Sequence, residues 1–186
     1  MIAVSQPVAL PRTFDEFLRF EPTDGYKYEW NDGELIRTAK TGRKLLYLIR
    51  RLNRLFAQTE AHRQGGILVC EQDVMLTGIQ MRRPDLAYFS GEQIDQSLTT
   101  DDEPIPPFVI EVISPTDESE KVEAKRSEYF RAGVQVIWHI FPEIREVHVC
   151  TSPKLIHVCS DEDVCSAAPV LPDFSLTVNA LFAESE

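Results

Sequence analysis

Phe108-Val109-Ile110-Glu111-Val112-Ile113 is an apolar run interrupted by a single acid. A strand this apolar reads as core on both faces, so its sheet must be covered on both sides. Packing gives Glu111 no reason to be there. A buried carboxylate is costly unless it is paired, hydrogen-bonded or bound to a metal. The run therefore restricts the chain to a layered arrangement of helices and sheet, and it marks Glu111 as a candidate for chemistry.

The flanking sequence supports that arrangement. Residues 1–12 read as an N-terminal arm and 13–186 as a single domain, a length that allows a substantial core. Thr13-Phe14-Asp15-Glu16 has the capping-box pattern and opens a short helix. Asn31-Asp32-Gly33 between Tyr26–Trp30 and Glu34–Thr38 predicts a hairpin. Over 42–58, the residues Leu45, Leu48, Ile49, Leu52, Leu55 and Phe56 form one stripe at helical spacing, with Arg43, Arg50 and Arg54 on the opposite side. Short strands are expected at 67–69, 73–76 and 86–89, and a loop with room for one short helical turn at 90–107. A helix over 117–132 closed by Gly133 and strands over 134–141, 146–150 and 154–159 complete the pattern. Strands first, then helix and strand alternating, predict an α/β (α+β) fold with a mixed central sheet.

Two further residues join Glu111. Asp85 follows Pro84 at the start of a strand, where a side chain can face a cleft; a turn or capping role is the alternative. Lys125 shares a helix face with Val122, Tyr129 and Ala132, the more apolar side of that helix, and is expected to point at the sheet. A lysine that snorkels to solvent past Tyr129 is the alternative. Two strand carboxylates can hold a hard cation such as Mg²⁺, which polarises a phosphate and supplies hydroxide near neutral pH. A lysine beside them can steady charge developing on the phosphate.

Here the order and spacing of several motifs resemble a known family. Arg83-Pro84-Asp85-Leu86, Val109-Ile110-Glu111-Val112-Ile113-Ser114-Pro115-Thr116 and Lys125-x-x-x-Tyr129-x-x-Ala132-Gly133-Val134 resemble the Uma-type restriction endonucleases of the PD-(D/E)XK superfamily. Tyr28-Glu29-Trp30-Asn31-Asp32-Gly33-Glu34-Leu35, Ile137-Trp138 and Leu171-Pro172-Asp173-Phe174-Ser175-Leu176 extend the likeness from Thr13 to Phe182. The resemblance implies a restriction-endonuclease-like core, a mixed sheet flanked by helices, and DNA hydrolysis with Mg²⁺ or Mn²⁺. It makes Asp85 and Glu111 the metal-binding acids. The superfamily's lysine slot two residues after the Glu holds Ile113, so Lys125 is expected to take that part, supported by Tyr129. Glu29 or Glu34 is a candidate further acid. The sequence departs from the family pattern at Arg43, Lys121 and Phe141.

Charge is distributed unevenly. The chain carries −11 overall, which alone disfavours nucleic acid. Residues 37–63 nevertheless hold eight basic residues against one acid, Glu60. Phosphate binding needs a local basic face rather than a basic protein. Arg43, Arg50 and Arg54 are the expected phosphate contacts; a solvated helix face is the alternative. No apolar run approaches the ~20 residues of a membrane helix. Four cysteines with no CxxC pair fit a reducing, cytoplasmic setting. Three functions are compatible with these features: a Mg²⁺-dependent endonuclease acting on DNA, a nucleic-acid-binding or regulatory protein of the same fold without cleavage, and a structural or oligomeric protein. A homodimer is expected because cutting two strands suits two sites, with the strands at 134–150 as a candidate interface.

Overall fold

The computed structural model describes residues 9–38, 43–101 and 103–183. Most of the expected arm, residues 1–8, lies outside them. The elements in chain order are α1 (Phe14–Leu18), β1 (Lys27–Asn31), β2 (Glu34–Thr38), α2 (Arg43–Phe56), α3 (Glu60–Arg63), β3 (Ile67–Cys70), β4 (Val74–Thr77), β5 (Gln80–Arg82), β6 (Leu86–Phe89) and α4 (Gly91–Ser97). They continue as β7 (Phe108–Val112), α5 (Ser119–Ala132), β8 (Val136–Phe141), β9 (Glu146–Ser152), β10 (Leu155–Ser160), β11 (Val164–Ala167), β12 (Leu171–Thr177) and α6 (Val178–Phe182).

The central sheet has six strands in the order β10-β9-β8-β7-β6-β3. β7 and β8 run parallel and the other neighbours antiparallel. The sheet is therefore mixed, and its parallel pair is joined by the right kind of connection, the α5 crossover. Gly133 ends α5 in the left-handed region at φ +112°, and Val134 N donates to the Tyr129 carbonyl. β8 and β9 are interior strands, so the stretch 134–150 offers no open edge for an interface.

Strand alternation separates two cores. Phe108 and Ile110 of β7, Leu86 and Tyr88 of β6, and Trp138 and Ile140 of β8 face one side. There they meet Leu48, Leu52 and Phe56 of α2, Phe174 of β12 and Leu181 of α6. Val109, Ala87, Phe89 and Ile137 face the other side, against Tyr129 of α5 and Val74 and Leu76 of β4. Glu111 and Asp85 have the parity of this second side.

A four-stranded sheet, β2-β1-β5-β4, lies beyond that second face; the hydrophobic pattern does not predict it as a separate sheet. Its β1–β2 hairpin turns at Asp32 and Gly33, with φ of 45° and 91°. Both central residues in the left-handed region define the turn that matches strand twist. Tyr28 and Trp30 pack with Phe17 and Met81 on one face of β1, leaving Lys27 and Glu29 on the other. The capping box at Thr13 is half formed: Thr13 Oγ1 accepts from Glu16 N, while Glu16 Oε2 takes its hydrogen bond from Arg12 N.

Candidate active site

The polar face of β1, the β5–β6 junction, the C-terminal end of β7 and the N-terminal half of α5 enclose a cleft of about 520 Å³. Its walls carry six basic residues (Lys27, Arg37, Arg82, Arg83, Lys121, Lys125) and six acids (Glu29, Glu34, Asp85, Glu111, Asp117, Glu118). The cleft is locally balanced in a chain of net charge −11, so the global charge does not bar a phosphate from it.

Glu111 is buried at the cleft wall, 8% exposed. Lys125 Nζ lies 2.8 Å from its Oε1, and Tyr129 OH donates to the same oxygen at 2.6 Å. Oε2 takes no hydrogen bond from the described residues. Burial pushes the Glu111 carboxyl up to about 7; Lys125 pulls it down, and the negative charges of Asp85 and Glu29 push it further up. Burial works against the Lys125 charge, but Glu111 and Glu29 more than offset it and hold the ammonium above its ordinary range. Tyr129 is held well above its usual value by burial and by Glu111. Lys125 therefore faces the sheet and not bulk solvent.

Asp85, also buried, is tied to the strand that carries Glu111. Its Oδ2 accepts from Val112 N at 2.7 Å, and its Oδ1 lies 2.9 Å from Lys27 Nζ. Lys27 also reaches Glu71 Oε1 at 2.9 Å. Glu29 is saturated: Oε1 takes Lys125 Nζ at 2.8 Å and Arg83 N at 3.0 Å, and Oε2 takes Arg82 Nη1 at 3.1 Å. Burial raises the Glu29 carboxyl, but Lys125 and Arg82 outweigh it and hold it low. Arg82 in turn donates to Glu128 Oε2 from Nε at 2.8 Å. Glu29 thus anchors Lys125, while Glu34 stands exposed at the rim.

The structure brings Asp85, Glu111, Lys125, Tyr129 and Glu29 together and leaves the basic helix out. Arg50 and Arg54 are exposed on α2, which covers the opposite face of the central sheet from Glu111. Arg51 of the same run donates to the Ala180 and Ala183 carbonyls and ties α2 to α6. The side chain of Arg43 lies outside the described residues. The cleft's cations come instead from the hairpin, the β5–β6 junction and α5.

Among the described residues, five buried basic or acidic ones escape the sequence reading: Lys27, Arg82, Arg126, Glu128 and His139. Lys27 and Glu29 alternate with Tyr28 and Trp30, a pattern that signals a polar face without revealing that the face is buried. Arg126 and Glu128, with Tyr129, are the buried residues of α5. A purely apolar reading of that inward face misses both charged ones. His139 is the register partner of Glu111 across β7 and β8 and is 3% exposed. Burial, with Arg126, His148 and Lys125 nearby, pushes its pKa down to about 3, so it is neutral.

The oxygens fit a hard cation. Glu111 Oε2 has no protein donor among the described residues, and Asp85, at the head of the neighbouring strand β6, accepts from Val112 N, one residue beyond Glu111 on β7. Among the described residues no three His, Cys, Asp or Glu side chains converge as a metal cluster. A cation held here keeps water in most positions, as Mg²⁺ does when bound by one or two carboxylates.

A family model described as "Putative restriction endonuclease" matches residues 14–179. The chain belongs to this family, Uma2. The fold of this Uma2 member is similar to a crystal structure of "a putative nuclease belonging to DUF820" from Anabaena variabilis ATCC 29413. The TM-score is 0.79 at 20% identity, over 93% of this chain and 98% of that one. No curated protein matches the sequence. None of the helices in the described residues is long and apolar enough to cross a membrane.

Proposed function

We infer that this chain hydrolyses phosphodiester bonds in DNA with Mg²⁺ or Mn²⁺, in the cytoplasm, at the cleft between β1, β7 and α5. One observation carries the reading: Lys125 Nζ stands 2.8 Å from Glu111 Oε1 on the wall where Asp85 is fastened to Val112 N. Asp85 and Glu111 would hold the cation, which when bound polarises a phosphate and lowers the pKa of a water. Tyr129 and Lys125 fix Oε1 of Glu111 and leave Oε2 free. Glu29, itself fixed by Arg82, holds Lys125 so that its ammonium can balance charge developing on the phosphate oxygens. Arg37, Arg83 and Lys121 would contact the backbone on either side.

The test is cleavage of supercoiled plasmid with Mg²⁺ or Mn²⁺. Wild type nicks or linearises it, and Glu111→Ala and Lys125→Ala each lose about a hundredfold or more. Cleavage unchanged in both variants rules the site out.

Lys27 favours a second reading, a DNA-binding protein without hydrolysis. Its ammonium already meets Asp85, as Lys125 meets Glu111, so both acids are balanced with no cation present. Calorimetric titration with Mn²⁺ separates the two: absent cation binding with DNA binding retained supports the second.

A further inference from the structure

The central sheet ends in an unusual edge. β10 pairs only with β9, so its outer row of backbone groups is open among the described residues. Its sequence from Leu155 is Leu-Ile-His-Val, and Leu155 is 62% and Val158 51% exposed. Ile156 and His157 are exposed too. The strand therefore projects apolar side chains from both faces beyond the layers that cover its neighbours. Natural edges are blunted by charge, proline or bulges because a bare one templates another strand. The one register shift between β9 and β10 falls between Leu155 and Ile156 and leaves the extra residue, Thr151, on β9, so Ile156–Ser160 is regular, with no proline or charged residue inside it.

The ends of the strand specify which strand fits. Lys154 precedes it and Asp161-Glu162-Asp163 follows it, all exposed. Neither Lys154 nor Asp161 has an ion pair with any described residue. A parallel copy would set like charges together. An antiparallel copy, related by a two-fold axis normal to the sheet near His157–Val158, sets each Lys154 against the other's acidic end. Only the antiparallel arrangement closes as a self-complementary pair, and opposite charges facing across strands stabilise it while like charges oppose it.

We propose that β10 is the dimer interface of this protein: two copies pair their β10 strands antiparallel and join the two central sheets into one. The occupant of this edge is a second copy of the chain. The proposal does not depend on the nuclease reading, because β8, β9 and β10 of each copy separate its β7 from the shared axis.

Sedimentation velocity of the full chain at tens of micromolar tests it. Wild type sediments with twice the mass of one chain. Val158→Lys sediments as one chain with unchanged circular dichroism, since its site is outside the core. Lys154→Glu weakens the dimer by about tenfold, the scale of two exposed ion pairs. Ile67→Lys, on the opposite edge strand β3 where Ile67 is 44% exposed, stays dimeric. A monomeric wild type, or a Val158→Lys chain that remains dimeric, overturns the proposal.

Discussion

Lys125 places one ammonium 2.8 Å from both Glu29 and Glu111, joining the hairpin sheet to the central sheet through a helix. Lys125→Met removes the charge and keeps most of the bulk. Two buried carboxylates then lose a partner, an effect larger than for a surface pair but moderated because Lys125 is not fully enclosed. The expected loss is about 2 kcal/mol in urea unfolding, together with loss of plasmid cleavage. Lys125→Arg restores most of the stability but not the cleavage, because a planar fork cannot take the place of a compact ammonium.

Cation binding should follow the ionisation of Glu111. Its carboxyl is raised to about 7, so it is protonated below that pH and must ionise to bind. Mn²⁺ affinity therefore rises as pH passes upward through about 7, and binding near that pH releases a proton. Calorimetry in buffers of different ionisation enthalpy measures the release directly. The stability of the metal-free chain moves the other way. The folded state keeps a proton that the unfolded chain has given up, so Glu111's contribution is lost as pH rises from about 4.5 to about 7. Glu111→Gln should abolish both effects.

The placement of the basic helix gives a prediction about DNA. Arg50→Ala and Arg54→Ala leave cleft binding unchanged, since α2 covers the far face of the sheet. Arg37→Ala and Lys121→Ala, at residues that line the cleft, each weaken DNA binding. Each also lowers the salt slope by about 1. Fluorescence anisotropy across a salt series with a labelled duplex reads all four variants.

Gly91 begins α4 directly against the turn after α3. A Cβ there would stand 2.5 Å from the Gln64 carbonyl oxygen, a backbone atom with no rotamer to give way. Gly91→Ala should cost about 2 kcal/mol and lower Tm by about 6 °C by calorimetry. The cleft residues are untouched, so cleavage per folded molecule is unchanged.

The sequence is readable where a residue violates its own surroundings. Glu111 violates an apolar strand, and Lys125 falls on the inward face of a helix. Both turn out to be neighbours. The hairpin at Asp32-Gly33 and the stripe of α2 are local signals, and they read correctly. β5, β11 and α3 are too short to carry a period, and they are missed. The pairing of β1 with β5 is set by contacts distant in sequence, so the buried cations Lys27 and Arg82 could not be anticipated. The basic run on α2 misleads for a similar reason. Composition shows that arginines cluster there, but only the parity of β7 shows that they face away from Glu111.

That parity has a consequence for change in the family. The same two-residue rhythm that sends Phe108 and Ile110 into one core sends Val109 and Glu111 to the other side. A single-residue insertion or deletion before Glu111 would turn the carboxylate into the aromatic layer around Trp138 and Phe174, and would lift two large side chains into the cleft. Neither error can be repaired without the other. Lengthening or shortening β7 by one residue is therefore closed to this protein, and variation in spacing between Asp85 and Glu111 must be absorbed in the loop from 98 to 107, between α4 and β7.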